Sequence, residues 1–476
     1  MNRGWIFVAL LLIYGGGHAQ TGQQAKIDSV RQLMVAAFNA KDVDKIYALG
    51  GDAFHKDISL ESFRQVCQTN LFPLGTINDC ILEKFSDGVA KYKTVISAVT
   101  VSLFLSLDAK DKLQTFLFKP YQPEQPGKAG PIPTNNKLIT ALDSLVEQFA
   151  HAYISQAPTV GLSIGVLSGN NVYYYGYGET ARDNKKLPDE NSIYEIGSIS
   201  KTFTATLLAN AVNNGKVKLT DPANMYLPDS ARKLTYGDVQ ITLQSMSNHS
   251  SGIPRMPDNM NEGLDSPTNP YVNYDDKRLF GFYANFKPSR KMGDQYEYSN
   301  LAVGTLGVIL ERVNHESYEK MIVEKICNPL GMNDTREFIR PGDSARVAMG
   351  YSENGSYNGP WDFKSFAGAG GIRSTAKDML KYAAANLGRA PAALKKDILL
   401  THTVTFSQGN TKIGLGWHYI KPGQDEILFH NGGTGGYRTY LGINLQKQFA
   451  VVVLSNCGIS VDGLGNQLMK ALESKP

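Results

Sequence analysis

A serine three residues ahead of a lysine can serve as nucleophile and base if the lysine amine is kept unprotonated. Serine attacks poorly until a neighbouring base takes its proton. Lysine can be that base only when burial or nearby cations lower its pKa. On a helix, positions i and i+3 share a face, and the helix N-terminus favours negative charge developing there. The chain holds this spacing four times, at Ser198–Lys201, Ser230–Lys233, Ser317–Lys320 and Ser374–Lys377. Ser230 follows Pro228 in a polar stretch, and Ser317 belongs to the charged helix HESYEKMIVEKI. Ser374 and Thr375, with Asp378 after them, read as a helix cap. Only Ser198, in YEIGSISKTFTA, follows a glycine after an apolar segment and opens a small-residue apolar helix, TFTATLLANAV. Such a helix is expected in the core, where it would hold Lys201 out of water.

Two distant groups complete a reactive constellation. Tyr-x-Asn occurs at Tyr271–Asn273, Tyr283–Asn285 and Tyr298–Asn300. The first two fall in a stretch rich in Pro, Asp and Asn, where turn formation accounts for them. The third ends the extended GDQYEYSN and precedes the small-residue helix LAVGTLGVILERV, so it is expected beside Lys201. In FHNGGTGGYRTY, His430-Asn431-Gly432 follows the apolar EILF and is expected on a strand facing the cleft. Glycine there lets substrate backbone approach, and the Gly433 amide could join that of Ser198 as a second oxyanion donor. A phosphate loop is the competing reading, but Gly-Lys-Ser/Thr is missing and a strand follows.

The elements that must position these residues lie in a chain of 476 residues, long enough for two or more packed domains. Net charge is +4, with no basic tract of the kind that binds nucleic acid or anionic lipid. Residues 1–19, with Arg3, an apolar run Trp5–Tyr14 and small residues up to Ala19, read as a secretory signal peptide. That run is too short to span a bilayer, so a secreted or periplasmic protein is expected. Residues 20–121 read as a small α+β unit in which Ile27, Val30, Leu33, Met34, Ala37 and Phe38 mark one helix face. A helix capped by Ser59 and strand-like segments YKTVISAVTVSLFLSLD and KLQTFLFKPY follow. The proline-rich stretch 122–136 reads as a linker. Beyond it, residues 137–476 begin with an amphipathic helix and a hairpin turning at Ser168–Asn171, and end with a strand pair and a helix. The expected unit is an antiparallel sheet with terminal helices, interrupted by a large helical insertion. Of four cysteines, Cys67 and Cys80 are close enough to pair in an oxidising compartment, whereas Cys327 and Cys457 are expected as buried thiols.

Taken in chain order, the three motifs resemble the serine beta-lactamase-related family of class C beta-lactamases, D-alanyl-D-alanine carboxypeptidases, D-aminopeptidases and beta-lactamase-like esterases. SNHSSGIP (247–254), NPLGMNDT (328–335), AGAGGIRSTAKDM (367–379) and GLGW (414–417) are similar to that family too, and His249 is read as a turn residue. The resemblance implies that Ser198 is acylated, Lys201 is its base, and Tyr298 delivers a proton to the leaving group. Asn300 would bind the substrate amide or help hold Lys201. His430, Gly432 and Gly433 would line the substrate and oxyanion side. His430 stands where the family's third motif carries lysine, which disfavours efficient beta-lactam hydrolysis. The implied substrate is a small peptide, amide or ester, with D-alanyl peptides foremost. A non-catalytic binder of wall peptides is the contrasting reading. No metal, cofactor or nucleic acid is expected. Residues 20–121 resemble NTF2-like (cystatin-like) domains in element order.

Overall fold

A computed structural model of the chain describes residues 20–86, 88–97, 99–121, 130–231, 234–261 and 268–474. The expected signal peptide, and residues 122–129 of the expected linker, lie outside the described residues. The chain divides into two compact units, Met1–Glu124 and Gln125–Pro476.

In the first unit, the helix Gln20–Asn39 buries Ile27, Met34, Ala37 and Phe38. Leu33 is 60% exposed, one position off that stripe. Ser59 caps Leu60–Val66 by accepting the Ser62 amide at 3.2 Å. A four-stranded antiparallel sheet follows in sequential order: Ile77–Ser86, Val89–Ile96, Val99–Leu107 and Leu113–Pro120. The single extended segment expected over 92–108 is thus two strands. Ser97, with φ +50, lies in the turn between them. Ile77–Ser86 gave no sequence signal because only Ile77 is fully buried along it. Cys67 and Cys80 are not paired. Cys67 faces the core at the end of its helix, and the Cys80 thiol lies 3.3 Å from the Thr94 hydroxyl across the sheet.

The second unit is built on an eight-stranded antiparallel sheet. Its order is Phe406–Gln408, Thr411–Ile413, His418–Ile420, Ile427–Gly433, Arg438–Asn444, Phe449–Ser455, Gly161–Ser168 and Asn171–Gly178. The last two form the hairpin read from the sequence. The first three strands are three residues each, too short to show a period. Every residue of Phe449–Ser455 is buried because both faces of the sheet are covered. Val451 and Val453 meet the terminal helices Ala141–Ile154 and Asp462–Glu473, while Val452 and Leu454 join the core of the helical insertion. That alternation is the strand period applied to a two-sided core.

The helix Ser200–Asn213 crosses the insertion and is buried on nearly all sides. Phe203 stacks on Tyr382 at 4.1 Å, and the Thr204 and Thr206 hydroxyls donate back to the carbonyls of Ser200 and Thr202. A helix apolar all round belongs in a core, as its composition predicted. Tyr283 is not in a turn. It lies in the helix Asp276–Asn285, which Asp275 caps, and is fully buried within 2.8 Å of the Thr305 hydroxyl.

Candidate active site

The strand Ile193–Glu195 leads into a tight turn, Gly197–Ile199, which sets Ser198 just ahead of the Ser200–Asn213 helix. Gly197 has φ +52, and a Cβ on it would fall 2.6 Å from the amide nitrogen of Gly433. Backbone conformation and close approach therefore both require glycine. From Ser192 to Ala209, Ser198 is the one residue that is not buried.

Behind it, Lys201 is 1% exposed, with its amine 3.1 Å from Ser198 Oγ. The amine donates to the carbonyl of Ala369 at 2.6 Å. Burial, and after it the charge of Arg255, hold the amine well below the ordinary lysine value. That shift favours the unprotonated amine, the form that could accept the Ser198 proton across the 3.1 Å contact. The chain places this holding contact on a backbone carbonyl in AGAGG, and no hydrogen bond joins Asn300 to Lys201 among the described residues.

Ser299 caps the helix Asn300–Asn314 by accepting the Ala302 amide at 2.8 Å, and this fixes Tyr298 on the segment that leads into the helix. The Tyr298 ring lies 4.9 Å from the Lys201 amine. Burial pushes its phenol up, opposed in part by the charge of Arg255, so the phenol stays protonated. The Asn300 amide nitrogen rests against the Met256 sulfur at 3.7 Å, while its oxygen is buried with no partner among the described residues. An unpartnered buried acceptor is costly, and a substrate N–H could satisfy it.

His249 was read as a turn residue, and its φ of +62 agrees. Its ring does more. Nδ1 accepts the Ser299 amide at 3.2 Å, which leaves the proton of the neutral ring on Nε2. The ring packs 4.4 Å from that of Tyr298. His418 and Tyr296 extend this aromatic wall, joined by a 2.8 Å hydrogen bond, and burial lowers His418 to about 4. None of these three carried a chemical spacing signal. The quoted stretches SNHSSGIP, GDQYEYSN and GLGW held or bordered them, without giving any of the three a role.

On the facing strand, Ile427–Gly433, His430 is 2% exposed and its Nδ1 donates to the Asn431 carbonyl at 2.6 Å. Its Nε2 is thereby a lone-pair acceptor, buried without a partner. Burial pushes it well below the usual histidine range. It is neutral, unlike the lysine it replaces. A Cβ on Gly432 would fall 1.9 Å from the Ile196 carbonyl and 2.3 Å from Thr439 Oγ1. The missing side chain at Gly432 thus serves the protein's own packing, not the approach of substrate. Gly433, by contrast, is exposed against the Gly197–Ser198 turn. Among the described residues, no group of three or more His, Cys, Asp and Glu side chains is placed to hold a metal ion.

The Beta-lactamase family model matches residues 142–471. A beta-lactamase from Pseudomonas fluorescens is 27% identical over 358 residues, covering 67% of this chain and 94% of that protein. The D-alanyl-D-alanine-carboxypeptidase/endopeptidase AmpH of Escherichia coli K12 is 28% identical over 354 residues, covering 70% of this chain and 90% of that protein. Among solved structures, the D-alanine carboxypeptidase AmpC from Burkholderia cenocepacia aligns with a TM-score of 0.62 at 25% identity. That alignment covers 70% of this chain and 99% of the other.

Proposed function

The chain belongs to the beta-lactamase family and is a serine hydrolase of it, and from that premise we propose that Ser198 forms an acyl-enzyme with D-alanyl peptides or related amides and esters. One observation carries the reading: a buried, neutral Lys201 amine lies 3.1 Å from the only accessible hydroxyl on its helix start. Lys201 takes the Ser198 proton as the hydroxyl attacks the carbonyl. The amides of Ser198 and Gly433 receive the oxyanion. Tyr298, whose buried phenol stays protonated, hands a proton to the leaving group. Asn300 accepts a substrate N–H through its open oxygen. Water then releases the acyl group by the reverse proton route.

Neutral His430 offers no fixed charge to a substrate carboxylate, which disfavours beta-lactams gripped from that strand. Secretion is part of the same proposal, from the leader pattern at residues 1–19, and no helix among the described residues is long and apolar enough to cross a membrane. We also propose that the first unit, helices followed by a four-stranded antiparallel sheet, is an NTF2-like accessory domain. Turnover of D-Ala-D-Ala peptides, D-amino amides, p-nitrophenyl esters and nitrocefin by wild type and Ser198→Ala tests the activity. The expected result is peptide or ester hydrolysis that the variant lacks. Binding without turnover on every substrate would favour a wall-peptide binder.

A further inference from the structure

With His430 neutral, the facing strand offers no charge to a substrate anion. The remaining cations around the site can be taken in turn. Lys201 is buried and neutral. Arg438, beside Gly433, donates to the carbonyls of Thr434 and Tyr437. Arg290, against Gly252, is paired with Glu297 at 2.9 Å. Arg255 is different. It is exposed, and its guanidinium has no hydrogen-bonding or ionic partner among the described residues. It lies 5.0 Å from the centroid of the Tyr298 ring. Its own carbonyl accepts the amides of Asn300 at 3.1 Å and Leu301 at 3.2 Å, which ties the residue to the loop carrying Tyr298 and Asn300.

A planar guanidinium resting on an aromatic ring is held in place while its edge N–H groups stay open to a carboxylate. Resting on the proposed leaving-group reading of Tyr298, we infer that Arg255 is the specificity-determining residue that anchors a carboxylate on the substrate's leaving group. The positive charge missing from position 430 is thus supplied from the opposite wall. Substrates whose leaving group is an α-carboxylate amine, alcohol or thiol are preferred over neutral counterparts.

The test uses two thioesters on the full chain, N-acetyl-D-alanyl thioglycolate and its methyl ester, with thiol release as the readout. Arg255 also lowers the Lys201 pKa, so its loss alters the base for both substrates. The ratio of their kcat/KM values removes that shared effect. Arg255→Ala and Arg255→Gln are expected to lower the acid-to-ester ratio about tenfold, an exposed charge-assisted contact. Arg255→Lys restores much of it. An unchanged ratio in Arg255→Ala, with wild type active on both thioesters, overturns the anchor and leaves the hydrolase reading standing. Wild type inactive on both, with no acylation of Ser198, overturns both.

Discussion

Two segments of this molecule share the spacing Ser-x-x-Lys and put it to opposite uses. At Ser374 the hydroxyl is fully buried, 2.7 Å from the Thr335 hydroxyl, while Lys377 is exposed. The next residue, Thr375, caps the helix Ala376–Ala384 by accepting the Asp378 amide. At Ser198 the arrangement is inverted: the hydroxyl is accessible and the amine is buried. Spacing is therefore neutral information. What separates a cap from a nucleophile is which member of the pair is desolvated, because desolvation creates a neutral amine and access admits a substrate.

The comparison breaks most sharply at the serines. Ser198→Ala is expected to lower kcat by at least about a thousandfold. Ser374→Ala should leave kcat near wild type and cost about 1 kcal/mol of stability, read by denaturant unfolding. Comparable activity losses in both would erase the distinction.

The lysines come next. Lys201→Met is expected to lower kcat by about a hundredfold to ten-thousandfold, whereas Lys377→Met stays within about 0.5 kcal/mol of wild-type stability. Stability against pH adds a sign. Unfolded, Lys201 carries a proton up to its ordinary value of 10.5, and folded it gives that proton up well below 10.5. The unfolded chain binds more protons through that window, so wild-type stability gains from Lys201 as pH rises toward 10.5 and loses it as pH falls. Lys201→Met should remove a slope of about 1.4 kcal/mol per pH unit in alkaline solution. Equal slopes in the two proteins would mean a charged Lys201.

Smaller effects sharpen the wall that faces Ser198. Tyr298→Phe should lower kcat by about a hundredfold with little change in KM. His249→Asn keeps a residue tolerant of the left-handed backbone but removes the ring packed on Tyr298. A roughly tenfold loss of kcat is expected there, since misplaced catalytic groups cost rate steeply. Wild-type kinetics in His249→Asn would reduce His249 to a turn residue.

The residues that could be read from the sequence are those whose chemistry sits in side chains with distinctive neighbours. GSISK was legible because the helix after it is apolar on every face, and YSN because a small-residue helix follows. HNGG was legible as a cleft strand, but the use of Gly432 was not, because the oxygen it accommodates belongs to Ile196, more than two hundred residues earlier. The Ala369 carbonyl that holds Lys201 is backbone and leaves no side-chain signal. The sequence leaves Asn300 free to bind substrate or to hold Lys201, and in the fold its Nδ2 rests against the Met256 sulfur. In the fold, the two-sided strands and terminal helices were plain from their apolar runs. The three-residue strands between 406 and 420 are held by neighbours that local periodicity cannot register. Sequence proximity leaves the Cys67–Cys80 pairing open; Cys67 closes a helix and faces the core, whereas Cys80 lies on a strand beside Thr94, so the two stay free thiols.

The central claim, that a neutral amine makes the Ser198 hydroxyl reactive, is tested most directly by mapping the covalent adduct. Full-length protein is incubated with an acylating p-nitrophenyl ester, quenched in acid and analysed by peptide mass spectrometry. The expected result is one acyl group on Ser198, lost in Ser198→Ala and sharply reduced in Lys201→Met. An adduct on Ser374 or another serine, or undiminished acylation in Lys201→Met, would contradict the claim.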